Sequence, residues 1–104
     1  VPPFQWVNHL IVEAETLWDI PAGSIKSKRK TNEYCRPRFA VMYAARRMSK
    51  RSYPEIGRII GRRDHTTVLH GYNRAKALCH TDPEFRSMLT CLMINVWRAR
   101  RVAG

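Results

Sequence analysis

The sequence predicts an all-α fold, a compact bundle of about five to six helices containing a helix-turn-helix. Three observations point there. Apolar residues recur at helical spacing in the long segments, and no stretch alternates in the manner of a strand. Strong helix-start signals stand at Ser52-Tyr53-Pro54-Glu55 and Asp82-Pro83-Glu84. Across residues 52–79 a short capped helix is followed by a Gly-containing turn and a longer amphipathic helix, the plan of a helix-turn-helix.

Taken in order, Leu10, Ile11, Ala14, Leu17 and Trp18 mark the first helix, and Pro21 ends it. Residues 22–32 form a polar, basic loop. The second helix is expected to begin near Arg36, with Pro37 in its first turn and a stripe at Ala40, Tyr43, Ala44, Arg47 and Met48. The third starts at Ser52, where Ser52 and Glu55 match the S-x-x-E capping box. Ile56, Ile59 and Ile60 give its buried face and Gly61 a left-handed stop. The fourth opens at Arg63 or Asp64. At about 100° per residue, Val68, Tyr72, Ala75 and Cys79 share one arc, while Thr66, His70, Asn73 and Arg74 lie opposite. The last helix, 83–101, has Asp82 as cap and Pro83 at its first position. Its apolar stripe runs Phe85, Met88, Leu89, Leu92, Met93, Val96, Trp97, and it ends in Arg98, Arg100 and Arg101, which suit the negative end of the helix dipole.

A chain of 104 residues, 44% apolar, fits a single domain over 1–104 with one modest core. Its net charge of +11 is unevenly placed: residues 26–74 hold 14 basic and 3 acidic side chains, and the remainder holds 5 of each. Arginine outnumbers lysine 14 to 5, a bias toward forked contacts with phosphate and guanine. No run approaches the ~20 apolar residues of a membrane span, and no secretory signal is visible. Three cysteines without a C-x-x-C read as reduced thiols in a cytoplasm. Glycines never cluster as a phosphate loop, so nucleotide hydrolysis is not expected of this piece. A start at Val1 rather than Met is expected of a piece of a longer chain.

In a helix-turn-helix the second helix enters the major groove and presents its N-terminal residues to base edges. Those residues are Asp64, His65, Thr66, Thr67 and His70, short donors and acceptors with a thymine-compatible methyl. Arg62 and Arg63 in the turn suit phosphate. The cationic loop at Lys26, Lys28, Arg29 and Lys30 suits a minor groove, where A·T stretches concentrate negative potential.

The run Tyr53-Pro54-Glu55-Ile56-Gly57, followed by Gly61-Arg62-Arg63-Asp64-His65-Thr66-Thr67-Val68-Leu69-His70, resembles the signature of the DnaA family of bacterial replication initiators, in its C-terminal DNA-binding domain (domain IV). The upstream Ser27–Lys30 and Arg36–Arg38 stand where that domain has its basic loop and second helix. The resemblance spans roughly residues 8–90. It implies binding to double-stranded DNA at a DnaA box, a short site like TTATNCACA, in control of replication initiation. It implies base or adjacent backbone contacts for Asp64, His65, Thr66, Thr67 and His70. Lys30 aligns with the family's minor-groove arginine, or Arg29 after a one-residue shift. Tyr53 and Pro54 would lie near the sugar-phosphate chain, and Arg38 and Arg63 would contact phosphate. Lys28, Arg62 and Arg74 complete the expected backbone set. The location implied is cytoplasmic, at the nucleoid.

Other chemistries fit less well. His65 and His70 stand about 140° apart on a helix and lack a completing carboxylate or thiol pair, so no metal is expected. Cys79-His80 has no orienting third group, so no catalytic residue is assigned and the chain reads as a non-enzyme without cofactor or small-molecule substrate. Asp64 is accounted for by capping alone, and its base-reading role rests on the resemblance. The Phe85–Trp97 face exceeds what a small bundle must bury, which makes it a candidate partner or homodimer surface. Two settings remain open: an excised domain of an initiator, or a free-standing initiator-like regulator acting through that face. The short N-terminal lead and the apolar last helix favour the second.

Overall fold

In the computed structural model, which describes residues 3–103, five helices follow one another: α1 Trp6–Leu17, α2 Asn32–Ser49, α3 Tyr53–Ile59, α4 His65–Thr81 and α5 Pro83–Ala103. No strand occurs among the described residues. None of these helices is long and apolar enough to cross a membrane.

The hub is α2, which packs against all four other helices. Its central face is made of Ala40, Val41, Ala44 and Ala45, all buried, and such small side chains let neighbouring axes approach closely. Leu10, Ile11 and Ala14 of α1, Ile56 of α3 with Ile60 just beyond it, Val68 and Ala75 of α4, and Leu89 and Leu92 of α5 complete one continuous core.

Helix starts follow local chemistry. Ser52 Oγ accepts from the Glu55 amide at 3.3 Å while Glu55 Oε1 accepts from the Ser52 amide at 3.1 Å, so the predicted capping box is complete. Asp64 caps α4 by accepting from the Thr66 amide at 3.1 Å. Asp82 accepts from the Phe85 amide at 3.1 Å and pairs with Arg36, tying the start of α5 to α2. These donors hold the Glu55, Asp64 and Asp82 carboxyls below the usual carboxylate range.

Two boundaries differ from expectation. The second helix starts at Asn32, not near Arg36, with Thr31 as an extended cap. Pro37 therefore lies inside the helix. The helix there forgoes the bond that an amide at position 37 would give to the Glu33 carbonyl. The last helix runs to Ala103, not residue 101.

A third difference concerns α5. Phe85, Leu89, Leu92 and Val96 are buried, at 0–3% exposure, against the rest of the core. Four positions of the Phe85–Trp97 stripe are therefore interior, while Trp97 at its end stays half exposed. Part of the apolar width is covered by α1, whose Glu13 also accepts from Asn95 at 3.0 Å.

The α3–α4 turn is held tightly. Gly61 and Arg62 both adopt left-handed conformations, φ 79° and 58°, and the Arg63 amide returns to the Gly57 carbonyl at 2.7 Å. A Cβ at Gly57 would overlap the Arg63 carbonyl oxygen, and one at Gly61 would stand 2.6 Å from the Lys26 carbonyl. The turn thus packs backbone to backbone against the basic loop.

That loop is organised from within by Arg38, only 5% exposed. Its guanidinium donates to the carbonyls of Ile25 (2.9 Å), Ser24 (2.9 Å), Ser27 (2.8 Å) and Arg29. From the other side, Glu15 Oε2 accepts from the amides of Gly23 (2.9 Å) and Ile25 (3.2 Å). Arg63 donates to the Ser27 carbonyl at 2.7 Å and to the Ile60 carbonyl, which joins the loop to the turn.

Three outcomes follow. Leu92→Ala should lower unfolding free energy by about 2–5 kcal/mol in urea titration, as for a core leucine; an effect near zero would return the α5 stripe to the surface. Arg38→Met should cost about 3 kcal/mol and speed limited proteolysis within residues 22–31, because several loop carbonyls lose one shared donor. The cap carboxyls have lowered folded pKa values, so their stabilisation is complete above the unfolded values of about 4 and is lost as pH falls through the folded ones. Urea midpoints should fall below about pH 4.5, and less steeply in Asp64→Asn, which keeps the cap without the charge.

Candidate nucleic-acid interface

The cap of α4 decides what its first turn can offer. Asp64 Oδ1 takes the Thr66 amide, and Asp64 Oδ2 accepts from Thr66 Oγ1 at 2.9 Å. The Asp64 carboxylate also stands 3.0 Å from His65 Nδ1. Its principal partners are therefore internal. With its hydroxyl proton given to Asp64, Thr66 presents acceptor lone pairs outward, a polarity suited to the exocyclic amines of adenine or cytosine. Thr67 and His70 follow on the exposed surface of α4 without charge partners among the described residues.

Beside this turn lies an open cleft of about 430 Å³. It is lined by Thr67 and His70 of α4, Lys28 and Lys30 of the basic loop, Arg62 and Arg63 of the turn, and Phe39 and Met42 of α2. Two of the sequence-predicted base readers, Thr67 and His70, and two loop lysines, more than thirty residues apart in the chain, thus line one cleft. Lys28, Arg29 and Lys30 are exposed, and so are Arg62 and Arg74. Tyr53 is half-buried and Pro54 exposed at the start of α3.

Two arginines sit differently from expectation. Arg38 does not reach outward to phosphate: its donors are spent on loop carbonyls and its side chain is interior. Burial lowers its pKa from the ordinary arginine value, but a guanidinium stays charged. Arg63 is half-buried, with one nitrogen on Ser27 and another on Ile60, so its first role is to join loop and turn. Desolvation and the neighbouring Arg38 charge lower its pKa in the same direction. Both charges add to the positive potential of the cleft from beneath.

Some contributors were not singled out from sequence. Phe39 stands edge-on to His70, ring centroids 6.3 Å apart, and so orients a candidate reader. Met42 packs on Gly71, whose lack of a side chain lets α2 cross α4 closely there. Glu15 holds the loop from α1. Only the spacing of an acidic residue on an otherwise apolar helix face could have flagged it. Among the described residues, no group of three or more His, Cys, Asp or Glu gathers in a metal-binding arrangement.

Known proteins resemble this chain in sequence. The family model described as the bacterial dnaA protein helix-turn-helix matches residues 11–75. The chromosomal replication initiator protein DnaA of Gluconobacter oxydans is 44% identical over 68 residues, covering 65% of this chain and 14% of that protein. Its counterpart in Sphingopyxis alaskensis is 41% identical over 70 residues, 67% of this chain and 16% of the relative. That of Roseobacter denitrificans is 39% identical over 75 residues, 72% and 16%. The chain thus spans about a seventh of the length of these relatives. The matched region runs from α1 through the basic loop and both helices of the helix-turn-helix, and on this ground the chain belongs to the bacterial DnaA helix-turn-helix family, as a DNA-binding domain of the domain IV type.

Proposed function

We propose that this chain binds double-stranded DNA sequence-specifically at a DnaA-box-like site and thereby takes part in controlling replication initiation. One observation supports this above the others. Thr67 and His70, in the exposed first turns of α4, and Lys28 and Lys30 of the anchored cationic loop line a single cleft. A reader of duplex DNA needs both groups at once, one for base edges and one for the backbone or minor groove.

In this reading α4 lies in the major groove. Thr66, Thr67 and His70 select bases, with His65 beside them and Asp64 fixing the polarity of Thr66. Arg29 and Lys30 enter the neighbouring minor groove. Lys28, Arg62 and Arg74 hold phosphates, while Tyr53 and Pro54 abut the sugar-phosphate chain. The binding needs no cofactor and involves no chemistry on the DNA. The matched segment makes up only 14–16% of those initiators, so this chain serves either as the DNA-reading part of such a protein or as a shorter competitor for its sites. Either role places it in the cytoplasm, at the nucleoid.

Binding-site selection from random duplex, followed by salt titration of the winner, tests the reading. The selected site should resemble TTATNCACA. If about 6–10 phosphates are engaged, affinity should fall roughly 10³–10⁵-fold between 50 and 200 mM salt. His70→Ala or Thr66→Ala should cost about 1–3 kcal/mol on the selected site and little on random DNA, whereas Lys28→Ala should weaken both alike. Random duplex competing as well as the winner at moderate salt would refute sequence-specific reading.

A further inference from the structure

The contacts assigned so far lie mostly on one flank of α4. Thr67 and His70 line the cleft with the basic loop, and Arg74, on the same flank about 20° from Thr67, lines the neighbouring pocket with Phe39 and Arg36. Lys76, two residues beyond Arg74, projects about 160° away around the helix, on the other flank. A helix lying in a major groove has a phosphate strand on each side, so the second flank meets DNA as well.

That flank carries an ordered set of cations on aromatic rings. Lys76 Nζ lies 5.9 Å from the Tyr72 ring centre. Tyr72 is stacked on Tyr43 with centroids 5.0 Å apart and planes 22° from parallel. The Arg47 guanidinium lies 5.6 Å from the Tyr43 ring centre. Next to them, Tyr53 meets Tyr72 edge-on at 6.2 Å, with Arg46 4.8 Å from the Tyr53 ring centre. Arg46, Arg47 and Lys76 are exposed, and the ion pairs among the described residues, Arg36–Asp82, Arg51–Glu55 and His65–Asp64, include none of them. Their charge is unneutralised. The rings restrict their rotamers, which lowers the entropy cost of meeting a fixed phosphate. The ladder is also continuous with Tyr53, already placed beside the sugar-phosphate chain.

We propose that Arg47 and Lys76, held on the Tyr43–Tyr72 stack, bind phosphates of the DNA strand across α4 from the strand gripped by the basic loop. This rests on α4 lying in the major groove. It makes the chain a two-sided clamp, with the loop on one wall of the groove and a cation–aromatic ladder on the other. Phosphate contacts of this kind add affinity and fix the register of α4 without reading sequence.

The test compares the wild-type chain with Arg47→Ala/Lys76→Ala on the selected duplex and on random duplex, across a salt series. Ethylation interference is mapped on each strand, and thermal unfolding monitors folding. The double variant should lose about tenfold or more in affinity near 100 mM salt on both duplexes, keep the ratio between them, and show a log–log salt slope shallower by about 2. Interference should disappear at phosphates of one strand, while the positions sensitive to Lys28→Ala persist on the other. If the double variant unfolds, Lys76→Gln, which leaves the Tyr43–Tyr72 stack in place, should still reduce the slope by about 1. Lower thermal stability with an unchanged slope and an unchanged interference map would overturn the proposal and leave the ladder a packing feature. Equal wild-type affinity for selected and random duplex is a separate result, which fails the sequence-specific reading but not the clamp.

Discussion

Everything on the proposed DNA-facing side depends on the buried guanidinium of Arg38. A loop with four exposed cations would, by itself, be held apart by repulsion and chain entropy. Here the loop backbone turns inward, and one planar, multiply donating side chain gathers its carbonyls, with Ser24, Ser27 and Ile25 at 2.8–2.9 Å. Lysine would not serve, since a compact ammonium lacks the fork needed to meet diverging carbonyls. Glu15 closes the opposite side through two loop amides, so a buried positive group and a buried negative group hold the same segment from two helices. Arg63 then joins loop to turn through Ser27. The reading helix and the cationic loop are positioned by one shared hydrogen-bond network.

This separates the charge into two populations. Arg38 and Arg63 donate internally, to the loop and turn carbonyls, and so hold the geometry of the cleft that they also line. Lys28, Arg29, Lys30, Arg62 and Arg74 on one flank, and Arg46, Arg47 and Lys76 on the other, keep their charges outward. The +11 net charge is thus partly attraction and partly architecture. In the proposed reading, site choice falls to uncharged groups in the first turns of α4, where Asp64 accepts the hydroxyl hydrogen bond of Thr66.

Much of the fold was legible because its signals are local. Ser52 with Glu55, Asp64, and Asp82 before Pro83 act on amides two or three residues away, so sequence spacing reveals them. The start of α2 was misplaced for the same reason in reverse. Pro37 suits a first turn, yet the helix begins five residues earlier, where the Tyr34 and Cys35 amides donate to the Thr31 carbonyl. The α5 stripe was visible as apolar, but its covering partner α1 lies some eighty residues away, and periodicity does not say what meets a face. Arg38 shows the same limit: a basic residue within a basic segment reads as a phosphate ligand until its side chain is seen to point inward.

The sequence by itself determined the helices, their caps, the helix-turn-helix and the exposed polar turn of α4, because short-range hydrogen bonding and periodicity dictate them. Tertiary structure alone decided which cations face outward, which face of α5 is covered, and that Lys28 and Lys30 line one cleft with Thr67 and His70. Those outcomes depend on packing between distant segments, where burial turns identical side chains into either anchors or contacts.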